Sequence, residues 1–314
     1  TNGTYYTSFV FGFTEPWLFG KKPTSLQIQS YYSRQTDSYL AIGVLSNNRV
    51  MQVYGFTAGI GNRLKWPDNY FTLYNGLSWQ VYDLKNWIDG YFMFNDGRSH
   101  NLCYNVSRSR TSTDQMIYPR RGSVFSASLQ LTPPYSLFRK KDLGTLDDSG
   151  NPVRVANYKD INYDNWTSQQ RYKWIEYHKW KVSAETYTRL IGDLVVMTKA
   201  QFGYLGYYNR NWGYSPFEGF RVGGDGMSGY NTYGSEVIAL RGYSNYSLTE
   251  TVYTENGSQA YAGHLYDKFT IELRYPVVLQ PQSTIFVLAF LEGGNCWSDI
   301  RKFNPFQIKR SAGV

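Results

Sequence analysis

The chain has 314 residues, of which 42% are hydrophobic and 18% aromatic, and a formal charge of +8. A mean hydropathy of −0.48 and the absence of any run of about 18 apolar residues exclude a helical membrane span. They do not exclude a membrane β-barrel, whose strands carry only an alternating pattern. Tyrosine alone supplies 30 residues, which suits surfaces that are oily on one side and wet on the other. The aromatic girdle of a membrane barrel is such a surface. Lys and Arg are scattered through strands and loops rather than gathered on a stripe, so no nucleic-acid partner is expected. A wet barrel interior and loops near anionic lipid account for the charge.

Taken in chain order, period-two alternation predicts eleven strands. They lie near 4–19, 24–36, 49–65, 70–86, 98–112, 122–138, 178–191, 194–210, 262–279, 284–297 and 307–314, the last incomplete. In the sixth, Phe125, Ala127, Leu129 and Leu131 oppose Ser126, Ser128, Gln130 and Thr132. In the seventh, Trp180, Val182, Ala184 and Leu190 oppose Lys179, Lys181, Ser183, Glu185 and Arg189. In the eighth, Val196, Ala200, Phe202 and Tyr204 oppose Lys199, Gln201 and Gly203. In the ninth, Phe269, Ile271, Leu273 and Tyr275 oppose Lys268, Thr270, Glu272 and Arg274. A soluble sandwich buries the apolar set. A membrane barrel turns it to lipid and aims the polar set into the lumen.

The connections alternate in length. Short ones fall at 20–23, 65–69, 111–122, 191–193 and 281–282, and long ones at 37–48, 87–97, 139–177, 211–261 and 298–306. Short turns on one side and long loops on the other describe an outer-membrane barrel, whereas a sandwich has turns every 8–12 residues or so. The fold class is therefore an all-β, transmembrane antiparallel β-barrel. The stretch 165–180, "NWTSQQRYKWIEYHKW", has the one pattern compatible with a helix. Cys103 and Cys296 fall on distant strands and are expected to be unpaired. The chain runs from Thr1 to Val314 within strand-like pattern at both ends, as a piece of a longer protein is expected to do.

Catalytic and metal motifs are not evident. "GDGMSG", 224–229, matches G-x-G-x-x-G in form, but the polar "YNTYGSEVIA" that follows is not the helix a dinucleotide site needs. His100, His178 and His264 sit near the loop-side starts of strands, with no nucleophile or base motif beside them, and are expected to be interfacial. Asp147 and Asp148 in "LDDSG" have the composition of a turn. No metal-ligand spacing occurs, and no cofactor, metal or catalytic residue is expected.

Three stretches stand apart. "FEGFRVGGDG", 217–226, leads into a double glycine, "IALRGY", 238–243, closes the same loop, and "FLEGG", 290–294, ends a strand about fifty residues later. Together they resemble the outer-membrane protein assembly and two-partner secretion superfamily, and within it the BamA-type assembly factors. In that family the sixth extracellular loop carries a [VI]-R-G-[FY] tip, and the strand after next carries F-x-D-x-G on its inner face. The tip here is Leu240, Arg241, Gly242 and Tyr243, with Leu where Val or Ile is usual. The strand motif is Phe290, Glu292, Gly293 and Gly294, with Glu where Asp is usual. The loop lead matches at Pro216, Phe217, Phe220, Gly223 and Gly224, followed by a longer insert than usual.

The resemblance implies a sixteen-stranded barrel of which residues 1–314 supply roughly strands 4 to 14, with POTRA domains and the first and last strands outside this chain. It implies that the loop 211–261 folds into the lumen and that Arg241 meets Glu292 and Phe290 there. Alternation independently puts Phe286, Leu288, Phe290 and Glu292 on the face opposite Ile285, Val287, Ala289 and Leu291. The implied function is non-enzymatic folding and insertion of nascent outer-membrane β-proteins, in the outer membrane of a diderm (Gram-negative) bacterium. Implied partners are the nascent clients, assembly-machine lipoproteins, surface-docked subunits on the loops 139–177 and 211–261, and outer-membrane lipid and lipopolysaccharide. A two-partner-secretion or TamA-like translocation barrel remains an alternative, as does a passive pore or barrel enzyme.

Overall fold

The structure, a computed structural model, describes residues 6–18, 20, 23–36, 49–87, 94–147, 149–226, 234–253, 259–280 and 282–314. In chain order its strands are β1 (Tyr6–Glu15), β2 (Thr24–Thr36), β3 (Val50–Arg63), β4 (Phe71–Lys85), β5 (Gly97–Thr111), β6 (Gly122–Leu131), β7 (Lys141–Leu146), β8 (Pro152–Arg154), β9 (His178–Arg189), β10 (Val195–Gly206), β11 (Gly219–Val222), β12 (Ser235–Ile238), β13 (Thr251–Tyr253), β14 (Gln259–Tyr261), β15 (Leu265–Gln280), β16 (Ser283–Trp297) and β17 (Lys309–Gly313). Eleven of them form one antiparallel sheet in the order β1-β2-β3-β4-β5-β6-β9-β10-β15-β16-β17. Each corresponds to one of the eleven segments that alternation predicts. The sheet does not close on itself, and β1 and β17 are its edges.

Two expectations are corrected. The sixth strand stops at Leu131 rather than running to 138, because Pro133 and Pro134 follow and a 3₁₀ turn takes over at Tyr135–Phe138. The helical pattern over 165–180 yields one turn, Ser168–Arg171, with Thr167 as its cap. Sheet pairing overrides the rest: His100 N donates to Lys173 O (2.9 Å) and Ile175 N donates to His100 O (2.9 Å), so 173–175 runs extended beside β5. The long connections also contain short pairs of their own, β7 with β8, β11 with β12 and β13 with β14.

Burial separates the two faces of the sheet. On β15, Phe269, Ile271, Leu273 and Tyr275 are exposed, while Lys268, Thr270 and Glu272 between them are buried. The inversion of the soluble rule, with charge inside and oil outside, is what a lipid-facing wall around a polar lumen requires. Trp79, Trp180, Val182, Ile285, Val287 and Leu291 continue the exposed apolar band across neighbouring strands. Among the described residues no helix is long and apolar enough to cross a membrane.

The inner face is filled by connections. One buried cluster unites Met51 and Val53 of β3, Tyr82 and Leu84 of β4, Tyr266 of β15 and Cys296 of β16 with Phe217, Phe220, Val222 and Leu240 of the connection 207–264. Strands near opposite edges of the sheet therefore share one core with that loop, so the sheet wraps around it. Cys103 and Cys296 are both free thiols within this cluster, on β5 and β16. At the opposite end the turn 112–121 folds inward. Tyr118 is buried against Tyr187, Val195, Met197 and Phe286, with its hydroxyl 3.0 Å from Arg274 O.

The connection 132–177 is itself packed. Ile161, Tyr163 and Trp166 form a cluster with Trp212 of the next long connection. The Arg139 guanidinium lies 4.9 Å from the Trp166 ring and 4.8 Å from the Trp212 ring. Asp142, buried beneath, accepts from Trp166 Nε1 (2.8 Å), Gly144 N (3.0 Å), Thr145 Oγ1 (3.0 Å) and Asn162 N (3.3 Å). Burial alone pushes its pKa up, but these donors hold it below the ordinary carboxylate value.

The outward orientation of β15 can be tested directly. Ile271→Arg in the full-length protein is expected to cost about 2–4 kcal/mol in urea titrations in lipid vesicles. An unchanged midpoint would show that this face does not meet lipid.

Candidate functional site

The loop between β10 and β15 builds the site. Pro216 is half-buried at its base. Phe217 is fully buried, stacked on Tyr82 at 4.5 Å and edge-on to Phe94 at 5.4 Å. Phe220 is also buried, edge-on to Tyr266 at 4.8 Å. These anchors hold β11 against β12 in a parallel pair. A parallel pair needs a crossover rather than a tight turn, and part of that crossover, 227–233, lies outside the described residues. So does the end of the "GDGMSG" stretch. Gly223 N donates to Ile238 O (3.0 Å) and Leu240 N donates to Gly224 O (2.9 Å), stitching the lead of the loop to its closing segment. Gly224 has φ +85°, and a Cβ there would lie 1.8 Å from Asn245 Oδ1, so only glycine fits.

Leu240 is fully buried and fixes the tip. Arg241 then enters a charged layer on the inner face of β15 and β16. Its Nη2 lies 2.5 Å from Glu272 Oε1 and 2.7 Å from Glu292 Oε1. Its backbone N donates to Glu292 Oε2 (2.9 Å), and its guanidinium carbon lies 3.8 Å from the centre of the Phe290 ring. Lys268 Nζ stands 3.1 Å from Glu292 Oε1 and donates to Ala239 O (2.7 Å). Thr270 Oγ1 donates to the same Glu292 oxygen (3.3 Å). Arg274 Nη2 lies 2.6 Å from Glu272 Oε2. Three cations and two carboxylates thus form one connected layer.

Burial works against the charge on Arg241, but the carboxylates of Glu292 and Glu272 outweigh it and raise the pKa above the usual arginine value. Gly242, at φ +84°, turns the chain so that a Cβ would lie 3.2 Å from Ser311 Cβ of β17. Tyr243 OH donates to Arg310 O on the same strand (2.9 Å). Gly293 and Gly294 keep β16 thin: a Cβ on Gly294 would lie 2.6 Å from Asp267 O of β15.

A second charged group holds the stem of the loop. Lys179 of β9, 2% exposed, lies 3.0 Å from Glu218 Oε2 and 2.8 Å from Glu236 Oε1, and 5.1 Å above the Phe220 ring. Lys181, two residues on, lies 3.0 Å from Glu236 Oε1.

Sequence reasoning put Lys179, Lys181, Lys268, Glu272 and Arg274 on lumenal faces without naming what they meet. Glu218 and Glu236 carry no local pattern that marks them as partners of Lys179. The usable signal was the lumenal pair Lys179 and Lys181 on consecutive inward positions, since two inward cations demand counter-charges from a loop.

The three histidines are dispersed. His100 makes backbone bonds to 173–175, His178 Nδ1 accepts from Trp180 Nε1 (3.0 Å), and His264 stacks on Tyr214 at 3.7 Å. Asp147 forms a turn, accepting from Ser149 N and Asn151 N, while Asp148 lies outside the described residues. Among the described residues no group of three or more His, Cys, Asp or Glu side chains is arranged to hold a metal ion.

Comparison with known proteins matches this architecture. The family model described as the Omp85 superfamily domain matches residues 1–314, and the chain belongs to that superfamily. The crystal structure of BamA from Haemophilus ducreyi lacking POTRA domains 1–3 superposes with a TM-score of 0.62 at 16% sequence identity. The match covers 99% of this chain and 55% of that chain, so this chain spans little more than half of its length. No curated protein matches the sequence.

Removing the guanidinium takes the shared partner from two buried carboxylates, leaving Glu292 with Lys268 and Glu272 with Arg274. Arg241→Ala is expected to weaken docking of 238–243 by about 3 kcal/mol, read as faster amide hydrogen exchange there. Arg241→Lys is expected to recover only part, because the lysine side chain is shorter and has no planar guanidinium to stack on Phe290. The reciprocal swap Arg241→Glu with Glu292→Arg is expected not to restore protection. The new glutamate would face Glu272, and the new arginine would face Lys268. Full recovery by the swap would show that Arg241 and Glu292 act as an isolated pair.

Proposed function

We propose that this Omp85 superfamily barrel folds and inserts nascent β-barrel proteins into the outer membrane of a diderm bacterium, without nucleotide hydrolysis and without an enzymatic step. The observation that carries the reading is the docked tip, with Arg241 held by Glu272 and Glu292 over Phe290 inside the wall of the sheet. A loop anchored this way fills the lumen, and Tyr118 fills it again at the short-turn end. A filled lumen favours work done at the wall over passive conduction through the middle.

The wall can do such work through backbone alone. An open strand edge offers unpaired N–H and C=O groups, and a client strand can add to it by β-augmentation. No bound nucleotide or metal enters that step. The seam strands are not assigned within this chain. Nascent outer-membrane proteins are the proposed clients, with lipoproteins on the periplasmic side and lipopolysaccharide against the exposed apolar band.

Expression of full-length Arg241→Ala in a strain depleted of the wild-type protein tests this. Levels of unrelated β-barrel proteins in the outer membrane are expected to fall several-fold while the variant itself is present. Loss of one exported protein, with barrel levels unchanged, would replace assembly with translocation. No change in either would remove the docked tip from function.

A further inference from the structure

We infer that Lys179 is a positioning residue for the loop stem, and that the loop is held by two separately releasable anchors rather than one. The tip anchor is the Arg241 layer on β15 and β16. The stem anchor is on β9, which is separated from β15 by β10 in the sheet. The two groups share no side chain. Lys179 meets Glu218, which immediately precedes β11, and Glu236, which lies in β12. One ammonium therefore ties together the two strands of the parallel pair, and a third contact, Lys179 Nζ to Gly234 O at 3.4 Å, fixes the residue that enters β12.

The charge count makes this group self-sufficient. Lys179 and Lys181 face Glu218 and Glu236, two cations against two carboxylates. Such a group has no electrostatic need of Arg241. Parallel pairing of Gly219–Val222 with Ser235–Ile238 adds backbone bonds that the tip does not share. Release of Arg241 thus leaves the stem seated on β9, and only the segment beyond Ile238 is freed. The moving part of the loop is its tip.

Lys179 is 2% and Glu218 7% exposed, so a neutral replacement leaves Glu218 desolvated with no other ion-pair partner among the described residues, while Glu236 keeps Lys181. Lys179→Met is expected to speed hydrogen exchange in 219–222 and 235–238 at least tenfold while leaving 240–243 near its wild-type rate. Arg241→Ala is expected to do the reverse, and the double variant to add the two effects. Lys179→Arg is expected to recover part of the stem protection. Should Lys179→Met fail to fold, Lys179→Met with Glu218→Gln removes the stranded charge while Glu236 keeps Lys181, and is expected to restore folding.

The inference is overturned if either single variant opens stem and tip together, or if Lys179→Met opens neither. Failure of Lys179→Met with Glu218→Gln to fold would also overturn it, since the defect would then not be the unpaired charge. The inference deepens the assembly reading, but its test measures exchange rather than client levels. The two-anchor pattern can therefore fail while depletion-rescue with Arg241→Ala still supports assembly, and the converse outcome is equally distinguishable.

Discussion

Everything in this structure follows from putting a charged loop inside a sheet. A guanidinium taken out of water loses hydration worth several kcal/mol and regains it only from matched partners. Arg241 finds two carboxylates, one aromatic face and a backbone contact to Glu292. That requirement explains the inner face of β15, where Lys268, Glu272 and Arg274 occupy alternate positions and are all paired. It also explains why the loop carries glycine on both sides of the anchor. Gly224 lets the lead approach the closing segment, and Gly242 turns the tip toward β17.

The same alternation serves the outer face. Each residue that sends a charge inward is followed by one that sends an apolar group outward, since side chains in a strand point to opposite faces in turn. Phe269, Ile271 and Leu273 are thus consequences of Lys268, Thr270 and Glu272 lying where they do. A slip of one residue in register would put lysine in lipid and phenylalanine against the loop. The buried charged layer and the exposed apolar band therefore hold each other in register.

The eleven strands were legible because period two is a local property. Neighbouring residues alone reveal it, and the chain repeats it. Their ends were less legible where something non-local competed. Alternation carries the sixth strand to 138, through the two prolines behind its end at Leu131, and a helical pattern over 165–180 gives way to pairing beside His100. Propensity speaks for a segment in isolation, and the part of β5 before Tyr104, which β6 does not pair, overrides it here.

Sequence by itself determined which faces are apolar and which residues point inward, and its resemblance to a known family implied that a loop ending in Leu240, Arg241, Gly242 and Tyr243 meets a strand carrying Glu292. Those are matters of period and motif. Only the tertiary structure decided that Glu272 and Lys268 share the anchor, that Glu218 and Glu236 close on Lys179, and that Tyr118 occupies the other end of the lumen. The physical reason is distance along the chain. Glu218 lies 39 residues from Lys179 and Arg241 lies 31 from Glu272, and no local pattern says which of several inward carboxylates a given cation will reach once the sheet has curled.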